Sequence, residues 1–91
     1  VLQDKELLQA IRDKYKSGTF FSGSSAGTAI MSKIMLTGEG DFKVIDGNKV
    51  ETKEGIGLLD EIILDQHFIA RQRQNRLLGL VLKYPNQLGV G

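Results

Sequence analysis

Thr19-Phe20-Phe21-Ser22-Gly23-Ser24-Ser25-Ala26-Gly27-Thr28-Ala29-Ile30 is the stretch on which the reading of the fold turns. Residues 19–22 are aromatic and β-branched, which predicts a short buried strand. Residues 23–27 are small throughout. Ala29, Ile30, Ile34 and Met35 then recur with a helical period to about residue 35. Upstream, Asp4 predicts a helix N-cap, and Leu7, Leu8, Ile11 and Tyr15 form the apolar face of a helix that Ser17-Gly18 ends. The order helix, strand, tight turn, helix points to an α/β sheet with helices on its faces.

Gly23-Ser24-Ser25-Ala26-Gly27 fits the pattern G-x-S-x-G. A serine on a very tight strand-to-helix turn is held in a strained backbone with its hydroxyl turned into a cleft. Small neighbours two before and two after let the two backbones pass close together. The residue after the serine, Ala26, presents a backbone N–H at a helix start, suited to an oxyanion. Two other readings stand beside this one. A glycine-rich turn without chemistry gives the same letters. A phosphate loop is the weaker alternative: Gly18-x-x-x-x-Gly23 has the spacing, but Ser24 stands where the lysine is required.

Further along, residues 37–41 read as a glycine-rich loop, and Asp46-Gly47-Asn48 as the turn of a hairpin between Phe42-Lys43-Val44-Ile45 and Lys49-Val50-Glu51-Thr52. Residues 55–59 read as a loop with apolar anchors, and Ile62-Ile63-Leu64 as a compact buried strand. A helix is predicted over residues 69 to about 84, polar and basic first and leucine-rich later, stopped by Pro85-Asn86. Leu88-Gly89-Val90-Gly91 reads as the beginning of a strand or turn.

His67 is the single histidine. It follows the 62–64 strand and so falls at a strand's C-terminal end, where sites form in open α/β sheets. If the strand before Ser25 runs parallel in the same sheet, both residues reach one edge, and an imidazole there can take the serine proton near neutral pH. Strand alternation would put Asp65 on the face of His67 and Gln66 opposite. Asp65 then orients the imidazole, binds substrate, or merely caps the next turn. Arg71, Arg73 and Arg76 are three of the four arginines, and no acidic residue occurs after Asp65. Arg73 and Arg76, three apart on the predicted helix, share a face. A surface helix usually mixes signs, so a carboxylate-binding cluster is the reading for these forks, with a solvated helix face as the bland alternative.

Composition narrows the classes. The 91 residues are 41% hydrophobic and 25% charged with a net charge of +1, as in an ordinary globular domain. That balance and the lack of aromatic interleaving weigh against nucleic acid. There is no cysteine, which excludes disulfides and thiolate chemistry. No apolar run is long enough to span a bilayer. Val1 is not a start methionine, and both ends read as cut from a larger domain.

Taken in order, Gly-Ser-Ser-Ala-Gly-Thr-Ala-Ile-Met-Ser (23–32), Gly-Ile-Gly-Leu-Leu (55–59) and Asp-Gln-His-Phe-x-x-Arg-x-Arg-x-x-Arg-Leu (65–77) resemble the cyanophycinase family within the S51 serine peptidases. The likeness runs from about Phe20 to Gly91, and the 65–77 run is far more specific than the serine turn. The resemblance implies the central part of a single α/β serine hydrolase domain. The expected fold is a three-layer sandwich of the class I glutamine amidotransferase-like (flavodoxin-like) type. It implies exo-hydrolysis of cyanophycin, a poly-aspartate backbone with arginine on its side chains, to β-aspartyl-arginine dipeptides. Ser25 would be the nucleophile and His67 the base. Asp65, Gln66, Arg71, Arg73 and Arg76 match substrate-pocket positions, and no cofactor or metal is implied. An aspartyl dipeptidase of the same superfamily and a non-catalytic binding protein on the same fold are the alternatives. A cytoplasmic location is expected, with secretion left open, and a homodimer is compatible. The family usually has Thr at Ser24 and Ala at Thr28. Its acidic triad member lies beyond a Leu-Gly-x-Gly strand, and a Gly-Gly-x-Gln pocket segment lies upstream of Val1. The 91 residues alone are therefore expected to be inactive.

Overall fold

The first helix forms as its sequence dictates. In the computed structural model, which describes residues 3–40 and 43–91, α1 spans Lys5–Lys16 and the Asp4 carboxylate accepts from the Leu7 amide. That bond satisfies one of the orphan donors at a helix start. Leu8 is the buried residue of α1, and Arg12 Nε donates to the Ile56 carbonyl at 2.7 Å, tying the helix to the 55–59 loop.

Residues 19–22 are not a strand. They run as irregular chain, and Phe20 is 100% exposed. Strand propensity is expressed only where a neighbour completes the ladder, and no strand pairs with this segment among the described residues. The helix after the serine is also shorter than its periodicity suggests. Its extent is α2, Ala26–Ala29. Ile34 and Met35 belong instead to β1, Ile34–Gly40, which takes up residues 37–40 of the expected loop. β-Branched Ile34 suits an extended chain, and the α2–β1 connection is sewn to the 55–59 loop. Ile56 N–H donates to the Ile30 carbonyl, Leu59 N–H to Met31, and Lys33 N–H to Leu59. The hydroxyl of buried Ser32 lies within donating distance of both the Ala29 and Ile34 carbonyls and shares its one proton between them.

A hairpin is present, but with different arms. β1 pairs antiparallel with β2, Val50–Glu54, and the register shifts between Leu36 and Gly40. The Asp46 carboxylate accepts from the Asn48 amide and starts a single 3₁₀ turn at Gly47–Lys49, rather than a two-residue hairpin turn. Asp is suited to this because its side chain mimics a turn carbonyl. Lys43 to Ile45 form no strand, and Asp41 and Phe42 lie outside the described residues.

The third unit is a strand–helix–strand crossover. β3, Ile62–Leu64, and β4, Leu88–Val90, pair in parallel through α3, Gln74–Lys83. Parallel neighbours require such a crossover. α3 begins later than expected because residues 69–72 form turns, with Gln72 at φ 52. It ends at Lys83, with Tyr84 as the C-cap before Pro85. Leu77 and Leu80 of α3 pack with Ile63, Leu36 and Val50 as the buried core, and Ile34, Phe68 and Tyr84 flank it. The described residues thus form a small α/β unit with two two-stranded sheets. No helix among them is long and apolar enough to cross a membrane.

α3 approaches the 3₁₀ turn through two glycines. A Cβ on Gly79 would lie 2.8 Å from the Gly47 nitrogen and 2.9 Å from the Asp46 carbonyl carbon. These are backbone atoms, which cannot step aside. Gly79→Ala gains about 1 kcal/mol of helix propensity but overpacks at about 1–3 kcal/mol. A net loss is expected, read as a lower denaturant midpoint at unchanged slope. A midpoint equal to or above that of the unaltered protein would show that the contact yields.

Candidate active site

Ser25 sits at the N-terminus of α2 but does not cap it. Its backbone is at φ 53 and ψ −123, and no side-chain cap bond forms. An N-cap serine normally lies in the extended region and accepts from its own helix. Here the positive φ costs of order 1–3 kcal/mol and turns Oγ away from the helix. The turn is tight because the Gly23 backbone passes close to the Gly27 carbonyl, leaving no room for a side chain at residue 23. Thr28 Oγ1 donates to the Gly23 carbonyl at 2.7 Å and closes the loop. The expectation that residue 27 must also be small is not met: a Cβ there meets nothing, and it is the backbone carbonyl of Gly27 that crowds Gly23. The Ala26 amide is the first of α2 and belongs to an exposed residue.

The second half of the site is the chain leaving β3. The Asp65 amide still bonds the Val90 carbonyl, extending the parallel ladder by one rung. The chain then turns, and His67 adopts φ 49. Ser25 Oγ lies 3.1 Å from His67 Nε2 and 3.1 Å from Gln66 Oε1. The two segments therefore meet at the C-terminal end of β3, although the chain before Ser25 is not a strand.

The hydroxyl carries one proton and can donate to one of these acceptors at a time. When it donates to Gln66 Oε1, the contact with His67 needs an Nε2–H donor. When it donates to His67, the Nε2 lone pair receives it, which is the arrangement of a general base. Strand alternation predicts Gln66 opposite His67, but alternation holds only while the chain stays extended. The left-handed step at His67 brings both side chains to Ser25.

Asp65 and Arg76 do not join this group. Asp65 is 5% and Arg76 1% exposed. Arg76 Nε donates to Asp65 Oδ2 at 2.8 Å and Nη2 to Oδ1, a two-pronged pair. The carboxylate that Arg76 holds is this internal one. The expectation that Arg76 shares a helical face with Arg73 fails because α3 begins at Gln74, and Arg73 stands at the N-cap position outside the helix. Arg73 is half-buried, and its Nη1 donates to the Gln66 carbonyl at 2.7 Å. Burial, then the nearby Arg76 and Arg71 cations, lower the Arg73 pKa, while Asp65 opposes the shift. Arg71 is exposed in the turn before α3, its amide bonded to the His67 carbonyl. Of the three arginines, its side chain is the one wholly at the surface. Among the described residues no group of three His, Cys, Asp or Glu side chains is placed to hold a metal.

The model of Peptidase family S51 matches residues 1–91. The chain belongs to this family. Its curated relatives include the cyanophycinases of Trichormus variabilis, 37% identical over the whole chain and 31% of the relative, and of Geminocystis herdmanii, 36% identical over the whole chain and 34% of the relative. The cyanophycinase of Synechococcus elongatus is 32% identical over the whole chain and 29% of the relative. This S51 chain thus spans about a third of the length of the curated relatives it matches. In this S51 chain the departure of the backbone at His67, which brings Gln66 to the serine, had no local sequence signal beyond the end of an apolar strand.

Proposed function

We propose that the protein to which these residues belong is a serine-type exopeptidase that hydrolyses cyanophycin to β-aspartyl-arginine dipeptides. The observation that carries this is the 3.1 Å approach of Ser25 Oγ to His67 Nε2 in a member of the S51 family. Ser25 Oγ attacks the scissile carbonyl as its proton passes to His67 Nε2. The Ala26 N–H faces the developing oxyanion. The imidazolium then returns the proton to the leaving amine, and water releases the acyl group by the same steps in reverse. The exposed Arg71 guanidinium suits a substrate carboxylate, which it can meet with two parallel bonds. The unit described above would be one part of a three-layer, glutamine amidotransferase-like sandwich.

The test is product analysis with the intact protein. Incubation with purified cyanophycin is expected to release β-aspartyl-arginine as the main product. Release of aspartate from short α-aspartyl peptides, with the polymer untouched, would replace this reading by the aspartyl dipeptidase one. Failure on both substrates, together with no labelling by a serine-directed fluorophosphonate, would leave a binding protein.

A further inference from the structure

Arg73 does not point its hydrogen bond at the site opening. Its Nη1 donates to the backbone carbonyl of Gln66 at 2.7 Å. The amide of the same residue donates to Asp65 Oδ1 at 2.9 Å. Asp65 is in turn fixed by the buried, two-pronged pair with Arg76. Both ends of residue 66 are therefore gripped, from one side by a carboxylate that cannot swing and from the other by a guanidinium. The next residue, His67, is a non-glycine at φ 49. L-residues occupy that region at a cost and persist there only where surrounding bonds over-determine the backbone. The Arg71 amide bonded to the His67 carbonyl and the Arg73 amide bonded to the Phe68 carbonyl complete the turn. Among the described residues, Gln66 and His67 are the two whose side chains reach Ser25 Oγ.

We infer that Arg73 is a positioning residue: together with the Asp65–Arg76 pair it clamps Gln66 so that His67 keeps the left-handed backbone that aims Nε2 at Ser25. The inference rests on the proposed roles of Ser25 and His67. The charge pattern and the family resemblance both suggest Arg73 as a carboxylate ligand. Its bond to a backbone carbonyl gives the cation a different task, for which the reach and fork of arginine are suited.

The experiment compares the intact unaltered protein with Arg73→Ala, Arg73→Lys and Ser25→Ala. Two quantities are read: the rate of labelling by an uncharged fluorophosphonate, and kcat and KM on a β-aspartyl-arginine peptide. The probe carries no carboxylate, so loss of a substrate clamp would not slow it. Arg73→Ala is expected to lower both the labelling rate and kcat by about 10- to 100-fold, the scale of a small misplacement of a catalytic group, with KM changed by less than about twofold. Arg73→Lys should recover part of both, since an ammonium can still donate to the carbonyl. If Arg73→Ala labels at the unaltered rate and only KM rises, the inference is overturned and Arg73 returns to the substrate. A lowered melting temperature with an unchanged labelling rate would reduce its role to stability and overturn the inference too. Equal labelling of Ser25→Ala and the unaltered protein would instead overturn the nucleophile assignment beneath it.

Discussion

Ser25→Ala in the intact protein is expected to abolish turnover and fluorophosphonate labelling while leaving the fold as it is. The loss should be at least about 10³-fold, because removing a nucleophile that acts as a unit with its base leaves only binding and oxyanion stabilisation. The fold should survive for a specific reason. Ser25 Oγ caps nothing; its hydrogen bonds run to Gln66 Oε1 and His67 Nε2, in an exposed part of the molecule. Alanine carries the same Cβ at φ 53 and inherits the same backbone cost. The melting temperature should therefore stay within a degree or two, about 0.5 kcal/mol. Turnover that survives the change would remove Ser25 from the mechanism. A collapse of stability with it would mean that the hydroxyl is structural.

The largest expected effect on stability lies at Arg76. Arg76→Ala removes the guanidinium from a side chain that is 1% exposed and leaves the Asp65 carboxylate buried with the Gln66 amide as its remaining donor in this group. Breaking a buried pair from one side costs about 3–5 kcal/mol, against a total stability of about 5–15 kcal/mol for an ordinary domain. The denaturant midpoint should fall accordingly. The paired replacement Asp65→Leu with Arg76→Met should recover most of the loss, because desolvated charges are exchanged for apolar packing. It should not restore labelling, since the Asp65 oxygen that holds the Gln66 amide is gone. A loss under about 1 kcal/mol for Arg76→Ala would show that water reaches the carboxylate after the change.

Some of this was legible in the residues and some was not, and the division follows the range of the forces involved. Asp4, the 62–64 run and Pro85 act on their immediate neighbours, and the cap, β3 and the end of α3 fall where those residues place them. Residues 19–22 depend on a partner strand, which local composition cannot supply, and they remain irregular. Ile34 and Met35 fit a helical period and an extended chain equally well. The bonds between the 30–33 segment and the 55–59 loop decide for the strand. The chemistry of Ser25 and His67 predicts that they meet, and they do. The charge of Arg76 suggests a ligand for a substrate carboxylate, and its burial against Asp65 is not encoded in local spacing, because the pair joins the end of β3 to α3. Gln66 departs from the expected face because the strand's alternation does not persist past Leu64.

The contact between Ser25 and His67 spans 42 positions of chain. Bringing such distant positions together costs loop-closure entropy that only the cooperative packing of the intervening elements can offset. No short stretch of this polypeptide can assemble the contact by itself. In the denatured ensemble residue 25 is an ordinary alcohol, no more nucleophilic than any other serine. Chemical reactivity at that one oxygen therefore measures how many molecules are folded at a given moment. Followed through a denaturant titration, its disappearance should coincide with global unfolding instead of preceding it.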